Sequence, residues 1–113
     1  HWGGGVFIHA EDQARIGQLM LQRGVWNGDR VLPEGWVATS LRPCALNPNY
    51  GLLWWLNTGR ARYPSAPASS YAAVGAGGNL TWVDPEHDIV AVLRWTDPAS
   101  VDPFLRLLMA AVK

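Results

Sequence analysis

The residue types and spacings that could do chemistry are concentrated in one stretch, residues 71–85, which reads YAAVGAGGNLTWVDP. A strand-like run enters the glycine cluster Gly75, Ala76, Gly77 and Gly78, and a second strand-like run leaves it for Asp-Pro. Where no Cβ intervenes, a ligand can approach the backbone N–H groups. The alternative is that the glycines only turn the chain sharply between two strands.

The other side chains do not complete an active site. The sequence has no Gly-x-Ser-x-Gly pattern and no Ser-x-x-Lys pattern, since its only lysine is Lys113. The glycine cluster leads into a strand and not into a helix, which argues against a dinucleotide site, so we expect no cofactor. We also expect no metal, because the histidines lie in unrelated contexts. They are His1, His9 and His87.

Several reactive residue types have ordinary structural interpretations. We expect Cys44 to be a small buried hydrophobe, and His9 to pack or cap near a helix start. Solvated positions are expected for the carboxylates of a turn and for two loop arginines. These are Asp84, Glu86 and Asp88, and Arg60 and Arg62.

Composition indicates one modest domain with a packed core, because 49% of the 113 residues are hydrophobic. Nine basic residues balance nine acidic ones, so bulk charge predicts neither a nucleic-acid partner nor an anionic membrane partner. No apolar run approaches the roughly 20 residues that span a bilayer. The start at His1 rather than Met indicates a processed or trimmed chain, and the compartment stays open between bacterial cytoplasm and periplasm.

Seven tryptophans are a high load for this length. They predict either core packing or a substrate cleft lined with aromatic rings. The second possibility would suit a stand-alone module that grips a peptide or a carbohydrate, with the Gly-, Pro- and Ser-rich loop 58–70 at its rim.

The predicted helices flank a predicted sheet. Helical spacing predicts a helix over 10–23 that stops at Gly24, and Pro33 predicts a second helix over 33–40. Asp102-Pro103 predicts the start of a last helix, apolar nearly all round and therefore buried. Asn27-Gly28 predicts a short hairpin.

The predicted strands cover 50–57, 71–75, 79–83 and 89–95, and the first of them is continuously apolar. The last three are joined by short connections, which favour an antiparallel meander. The fold class is therefore α+β, an antiparallel sheet with flanking helices, in one segment over residues 1–113.

A set of weak signals, in the right order along nearly the whole chain, resembles the serine β-lactamase-like hydrolases. This group holds class C β-lactamases, penicillin-binding proteins, esterases and 6-aminohexanoate-dimer hydrolases. The signals are GGGVF at 3–7 with the EDQARIG helix start at 11–17, WNG at 26–28, Pro33 with WV at 36–37, YGLLWW at 50–55, and GAGGN at 75–79 leading to VDPEHDIV at 83–90.

The resemblance implies that the chain is the C-terminal part of a longer β-lactamase-like domain. The family's Ser-x-x-Lys nucleophile and its catalytic Tyr lie upstream of the first glycines, so the chain alone is expected to be inactive. The third family motif, Lys/His-x-Gly, falls on Ala73-Val74-Gly75 or on Gly75-Ala76-Gly77. The Lys or His is absent in both registers, which favours an esterase or amidase over a β-lactamase. A catalytically dead relative that only binds partners is the remaining alternative.

The resemblance also implies a division of roles within the stretch. The Ala76 N–H is expected to donate to the oxyanion of an amide or ester substrate, with Gly77 as the shifted option and Gly75 on the same strand. Gly78, Asn79, Tyr71 and Trp54 are expected to contact the substrate. The implied partners are a small-molecule amide or ester and the N-terminal remainder of the parent hydrolase, with no nucleic acid and no membrane.

Overall fold

The computed structural model describes residues 5–112, which form an antiparallel sheet between helices. The α+β class expected from the sequence is confirmed. The elements in chain order are α1 Ala10–Leu21, β1 Val25–Trp26, β2 Asp29–Arg30, α2 Trp36–Ser40, β3 Trp55–Leu56, the 3-10 turn Thr58–Arg60, β4 Tyr71–Gly75, β5 Asn79–Asp84, β6 Ile89–Leu93 and α3 Pro98–Ala111.

The main sheet has the strand order β3-β4-β5-β6, and all neighbouring strands are antiparallel. The expected meander is therefore confirmed. In β5, the central and most buried strand, alternate side chains face opposite layers. Leu80 and Trp82 join one core, and Val83 joins the other.

Each face of the sheet buries a helix. On one face α3 packs Val101 and Leu105 against Trp82. On the other, α1 crosses the sheet at Gly17, where a Cβ would lie 2.6 Å from Cγ1 of Val90. The glycine thus lets the helix backbone approach the strands closely.

The α3 helix corrects two expectations. It begins at Pro98, where the Asp97 carboxylate caps the Ala99 N–H at 3.0 Å, and Pro103 lies inside the helix. Two Asp-Pro pairs lie five residues apart in this region, Asp97-Pro98 and Asp102-Pro103. The carboxylate of the second pair binds a loop instead of capping a helix. Nor is the helix buried all round, because Leu107 is 68% exposed.

Two other predicted elements are shorter than expected. The helix predicted from Pro33 begins only at Trp36, because Gly35 adopts a left-handed φ of 76° just before it. The predicted strand 50–57 is reduced to Trp55–Leu56. Leu53, with φ 67°, is 79% exposed and turns the chain back on itself, so that Tyr50 bridges to Trp55 instead of extending the strand.

The elements in the first part of the chain match their predicted bounds more closely. Helix α1 ends at Leu21, two residues before the predicted end, and Gly24 follows with φ 84°. The Asn27-Gly28 hairpin is confirmed, with both residues at positive φ. Of the glycines at 3–5, only Gly5 is described; it is exposed and packs closely against nothing.

The loop 58–70 is organised by one buried side chain, Asn57. Its amide donates to the carbonyls of Tyr63 and Pro67 at 3.0 Å each, and its oxygen accepts the Tyr63 N–H at 2.8 Å. Asp102 of α3 fixes the same loop by accepting from the N–H and hydroxyl of Ser65. The loop is therefore closed upon itself and joined to α3.

Two further observations concern exposure. Cys44, expected to be buried, is exposed, so that prediction is wrong. Within residues 5–112 no helix has the length and apolar character needed to cross a membrane.

Candidate functional site

The glycine cluster forms the turn between β4 and β5. Gly75 pairs with Asn79, and the three residues between them make the connection. Gly77 and Gly78 have φ values of 78° and 70°, a region that strains residues with a Cβ. We call residues 75–79 the glycine turn.

The segment that follows β6 holds the glycine turn from outside. The Thr96 N–H donates to the Gly78 carbonyl at 3.1 Å. A Cβ on Gly78 would lie 1.8 Å from the Thr96 oxygen, and a Cβ on Gly77 would lie 2.6 Å from Cζ3 of Trp95. Both glycines are therefore required by close approach as well as by their φ values.

One edge of β4 is open beside this turn. Strand β3 pairs only with the first two residues of β4, in the register Trp55↔Ala72 and Leu56↔Tyr71. The left-handed Leu53 turns the preceding chain back along the other side of β3, where Tyr50 bridges to Trp55. Among the described residues, no strand therefore pairs with the remainder of this edge, residues 73–75, which we call the open edge.

Hydrogen bonds at β3 show which way the backbone groups of β4 point. The Asn57 N–H donates to the Ser70 carbonyl at 3.1 Å, whereas the Leu56 N–H turns away to the Asn49 carbonyl at 2.8 Å. Ser70 and Ala72 thus face β3. Backbone groups alternate along a strand, so residue 74 faces the same side and residues 73 and 75 face β5.

The alternation has a consequence for Ala76. In a trans peptide the N–H points opposite to the preceding carbonyl. The Gly75 carbonyl faces β5, so the Ala76 N–H points toward the open edge. The N–H and C=O of Val74 face the same side, which makes this edge a place where an extended molecule could add as a strand.

The structure separates the predicted site residues into two groups. It brings Gly75, Ala76, Gly77, Gly78 and Asn79 together in the glycine turn, where the Asn79 amide donates to the Ala76 carbonyl at 2.8 Å. It places the other two predicted residues in the hydrophobic core. These are Tyr71 and Trp54.

The two core residues pack on each other. Their rings meet edge to face, with centroids 5.2 Å apart. Burial raises the pKa of Tyr71 to about 12, because desolvation disfavours the charged phenolate. Their prediction as substrate contacts stays a prediction.

The turn after β5 contains a pair that sequence reasoning missed. Asp84, expected to be solvated, is fully buried. One carboxylate oxygen lies 2.7 Å from Nδ1 of His87, and the other accepts the Glu86 N–H at 2.9 Å. The spacing of His87 three residues after Asp84 was the available signal. The hydrogen bonds of the pair lie within its own turn, and no hydroxyl or thiol in residues 5–112 bonds to His87.

Arg62 also differs from the expectation of a solvated charge. Its guanidinium carbon lies 4.4 Å from the Trp55 ring centroid, and its Nε donates to the Tyr63 hydroxyl at 3.1 Å. The described tryptophans are dispersed: Trp82 and Trp54 are in the core, while Trp95 is 76% exposed. Among residues 5–112, no group of three His, Cys, Asp or Glu side chains could hold a metal ion.

Comparison with known proteins gives two relatives that are hydrolases by name. The chain is 33% identical over 110 residues to 6-aminohexanoate-dimer hydrolase of Paenarthrobacter ureafaciens, covering 84% of this chain and 26% of the relative. It is 26% identical over 89 residues to N-acetylmuramyl-L-alanine amidase of Bacillus subtilis (strain 168), covering 75% of this chain and 20% of the relative. No family model matches the chain. The chain thus resembles about a quarter or less of the length of these hydrolases.

Proposed function

We propose that this chain supplies the oxyanion- and substrate-binding strand of a β-lactamase-like serine hydrolase, as the C-terminal part of its catalytic domain. The substrate is a small-molecule amide or ester. The observation that carries the proposal is the open edge of β4, which runs into a glycine turn whose Ala76 N–H points to the same side. The similarity to a dimer hydrolase and to an amidase supports it.

The proposed reaction is acyl transfer through a covalent intermediate. The hydroxyl of a serine supplied by the remainder of the parent protein attacks the substrate carbonyl carbon, its proton passes to a base in that same part, and the π-electron pair moves to the carbonyl oxygen. When that pair returns, the bond to the amine or alcohol breaks and the leaving group takes the proton from that base. Water then hydrolyses the acyl-serine by the same sequence.

Ala76 stabilises the negative oxygen in this scheme. Its N–H donates to the oxyanion, and the second donor is the N–H of the nucleophilic serine, which lies outside this chain. Donors fixed before the reaction stabilise the transition state without reorganisation, and each contributes about 3 kcal/mol. The clamp from Trp95 and Thr96 would keep the donor in place.

Val74 positions the substrate. Its N–H and C=O face the open edge and would pair with a polar backbone-like segment of an amide substrate. The absent side chains of Gly75 and Gly77 leave room for close approach. Because no Lys or His stands before this strand's glycines, the proposal favours an esterase or amidase over a β-lactamase.

The remainder of the parent protein is the partner that this proposal requires. Helix α3 exposes Leu107 and Phe104, and the outer edge of β6 has no partner strand among the described residues. Such apolar and unpaired surfaces are suited to burial against more protein. Residues 1–113 alone are expected to hydrolyse nothing, because they hold no Ser-x-x-Lys pattern.

The test uses the protein encoded by the complete reading frame. A fluorophosphonate probe should label a serine that lies upstream of His1. Ala76→Pro removes the N–H and should lower kcat by roughly 10²–10³-fold, or about 3 kcal/mol. Ala76→Gly keeps the N–H and is the matched control, with kcat within about threefold of wild type.

Two results would contradict the proposal. One is an unlabelled protein whose upstream sequence lacks both the Ser-x-x-Lys pattern and a later catalytic Tyr. The other is a folded Ala76→Pro protein, with an unchanged melting temperature, that retains wild-type kcat.

A further inference from the structure

Asn79 bonds to both sides of the glycine turn. Its side-chain Nδ2 donates to the Ala76 carbonyl at 2.8 Å, and its Oδ1 accepts the Trp95 N–H at 3.4 Å. It is the first residue of β5, so its backbone is held by pairing with Gly75. The side chain therefore connects a fixed strand to a carbonyl at the tip of the turn.

The central peptide of a β-turn has two common orientations, which distinguish the type I and type II turns. Gly77 has φ 78°, and a positive φ at the third residue is what a type II turn requires. The type I turn differs mainly by rotation of the central peptide, here the one that joins Ala76 to Gly77. Glycine accepts both conformations, so Gly77 itself does not select one.

No hydrogen bond donated by the backbone of the turn selects one orientation either. No turn or loop hydrogen bond in residues 5–112 uses the N–H of Ala76, Gly77 or Gly78. The Thr96 N–H holds the Gly78 carbonyl, which belongs to the Gly78–Asn79 peptide, two peptides further along. The Asn79 amide is thus the one group in the described chain that bonds to the oxygen of the rotating peptide.

We propose that Asn79 is a positioning residue for the oxyanion donor. By holding the Ala76 carbonyl, it fixes the Ala76–Gly77 peptide, and with it Ala76, to the first residue of β5. Without this bond Ala76, and so the N–H that it offers to the developing oxyanion, would be held less precisely at the end of the open edge. The inference rests on the proposed function, and it assigns to Asn79 an action through Ala76 rather than through the substrate.

The decisive variant is Asn79→Asp in the complete protein. It retains an oxygen to accept the Trp95 N–H, but it replaces the donor to Ala76 by a second acceptor and so favours the rotated peptide. We expect kcat to fall between about tenfold and a hundredfold, with KM nearly unchanged, because the lost interaction matters mainly in the transition state. Asn49→Asp, a change of the same charge at a half-buried position in another loop, should leave both constants unchanged.

A second measurement reports the peptide itself and does not depend on activity. Ala76-Gly77 is the only Ala-Gly pair in the 113 residues. Labelling alanine with ¹³C at the carbonyl and glycine with ¹⁵N therefore gives one carbonyl–amide NMR signal from these residues, which in the complete protein is the signal that Ala76→Gly removes. In Asn79→Asp this signal should shift or split into two, and in Asn49→Asp it should coincide with that of wild type.

The outcomes separate the two proposals. If the wild-type serine is acylated but Asn79→Asp keeps both kcat and the single wild-type signal, the positioning role is overturned and the proposed function stands. A fall in kcat with an unchanged NMR signal and a lowered melting temperature also overturns it, since Asn79 then only stabilises the fold. If the wild-type protein acylates no serine, both proposals fall, whatever the signal does.

Discussion

The two turns at the ends of β5 differ in how their backbone N–H groups are hydrogen-bonded. At the Asp84 end, the turn satisfies its backbone with its own side chain, because the buried carboxylate accepts the Glu86 N–H and pairs with His87. At the other end, the glycine turn leaves the N–H groups of residues 76–78 without a bond to any turn or loop acceptor in the described chain. One turn bonds the Glu86 N–H internally, and the other leaves its N–H groups free of any turn or loop acceptor in the described chain.

The difference shows what an exposed set of donors requires. Asp84 shapes its turn from within, so that turn needs little support from the rest of the fold. The glycine turn has no side chain that accepts its own N–H groups, and its shape depends on Trp95 and Thr96 outside it together with its last residue, Asn79. In the proposed site, donors made of backbone N–H groups would therefore depend on contacts from outside the turn.

The largest effect that tests this comparison is expected at Gly78. Gly78→Ala forces a Cβ to within 1.8 Å of the Thr96 oxygen, at a φ of 70°. We expect a loss of about 3–4 kcal/mol of unfolding free energy, because both strain and a backbone clash act at once. Urea denaturation of the two proteins measures it.

The matched control is in the same turn. A Cβ on Gly75 would meet only the Asn79 oxygen, at 3.9 Å, and Gly75 is not at positive φ. Gly75→Ala should therefore change stability by less than about 0.5 kcal/mol. Equal losses in the two variants would mean that the contacts with Trp95 and Thr96 do not shape the turn.

The second test removes the internal support of the turn at Asp84. Asp84→Ala deletes the acceptor for the Glu86 N–H and for His87, and leaves a buried gap. We expect a loss of about 2 kcal/mol, typical of hydrogen bonds to a charged group. Glu86→Ala, at an exposed position two residues away, should cost almost nothing. If Asp84→Ala were as mild as its control, this turn would not depend on its carboxylate.

Sequence reasoning succeeded where the signal was local and failed where tertiary contacts chose between local options. The strands 71–75 and 79–83 and the Asn27-Gly28 turn match the structure within a residue or two, because alternation and turn chemistry act over a few residues. The two Asp-Pro pairs at 97–98 and 102–103 carry the same helix-start signal. Only packing of the loop onto α3, through Ser65, decides between them.

The candidate site shows the same limit. The glycines and Asn79 were identified from their order along the chain, and the structure brings them together. The support from Trp95 and Thr96 was not predicted, since contacts across 16 or more residues leave no local pattern. Burial of Asp84 and Tyr71 was missed for a related reason. Both face layers of the fold whose positions depend on the whole chain.

The smallest expected effect is the alkaline sensitivity of the Asp84 end of β5, where Tyr71 pairs with Val83 beside Asp84. The buried Tyr71 phenol has its pKa raised to about 12 from the ordinary 10.0. Above pH 10 the unfolded state loses this proton while the folded state keeps it, so stability present below pH 10 is lost as the pH rises toward 12. At pH 11 the loss attributable to Tyr71 is about 1.4 kcal/mol.

Tyr71→Phe cannot ionise, and it serves as the reference for that loss. Between pH 9 and pH 11 the unfolding free energy of the wild-type protein should fall by about 1.4 kcal/mol more than that of the variant. Tyr50 and Tyr63 are common to both proteins and cancel in the difference. Parallel decreases in the two proteins would show that water reaches the Tyr71 hydroxyl. The Asp84 end of β5 would then be less protected from solvent than the comparison of the two turns requires.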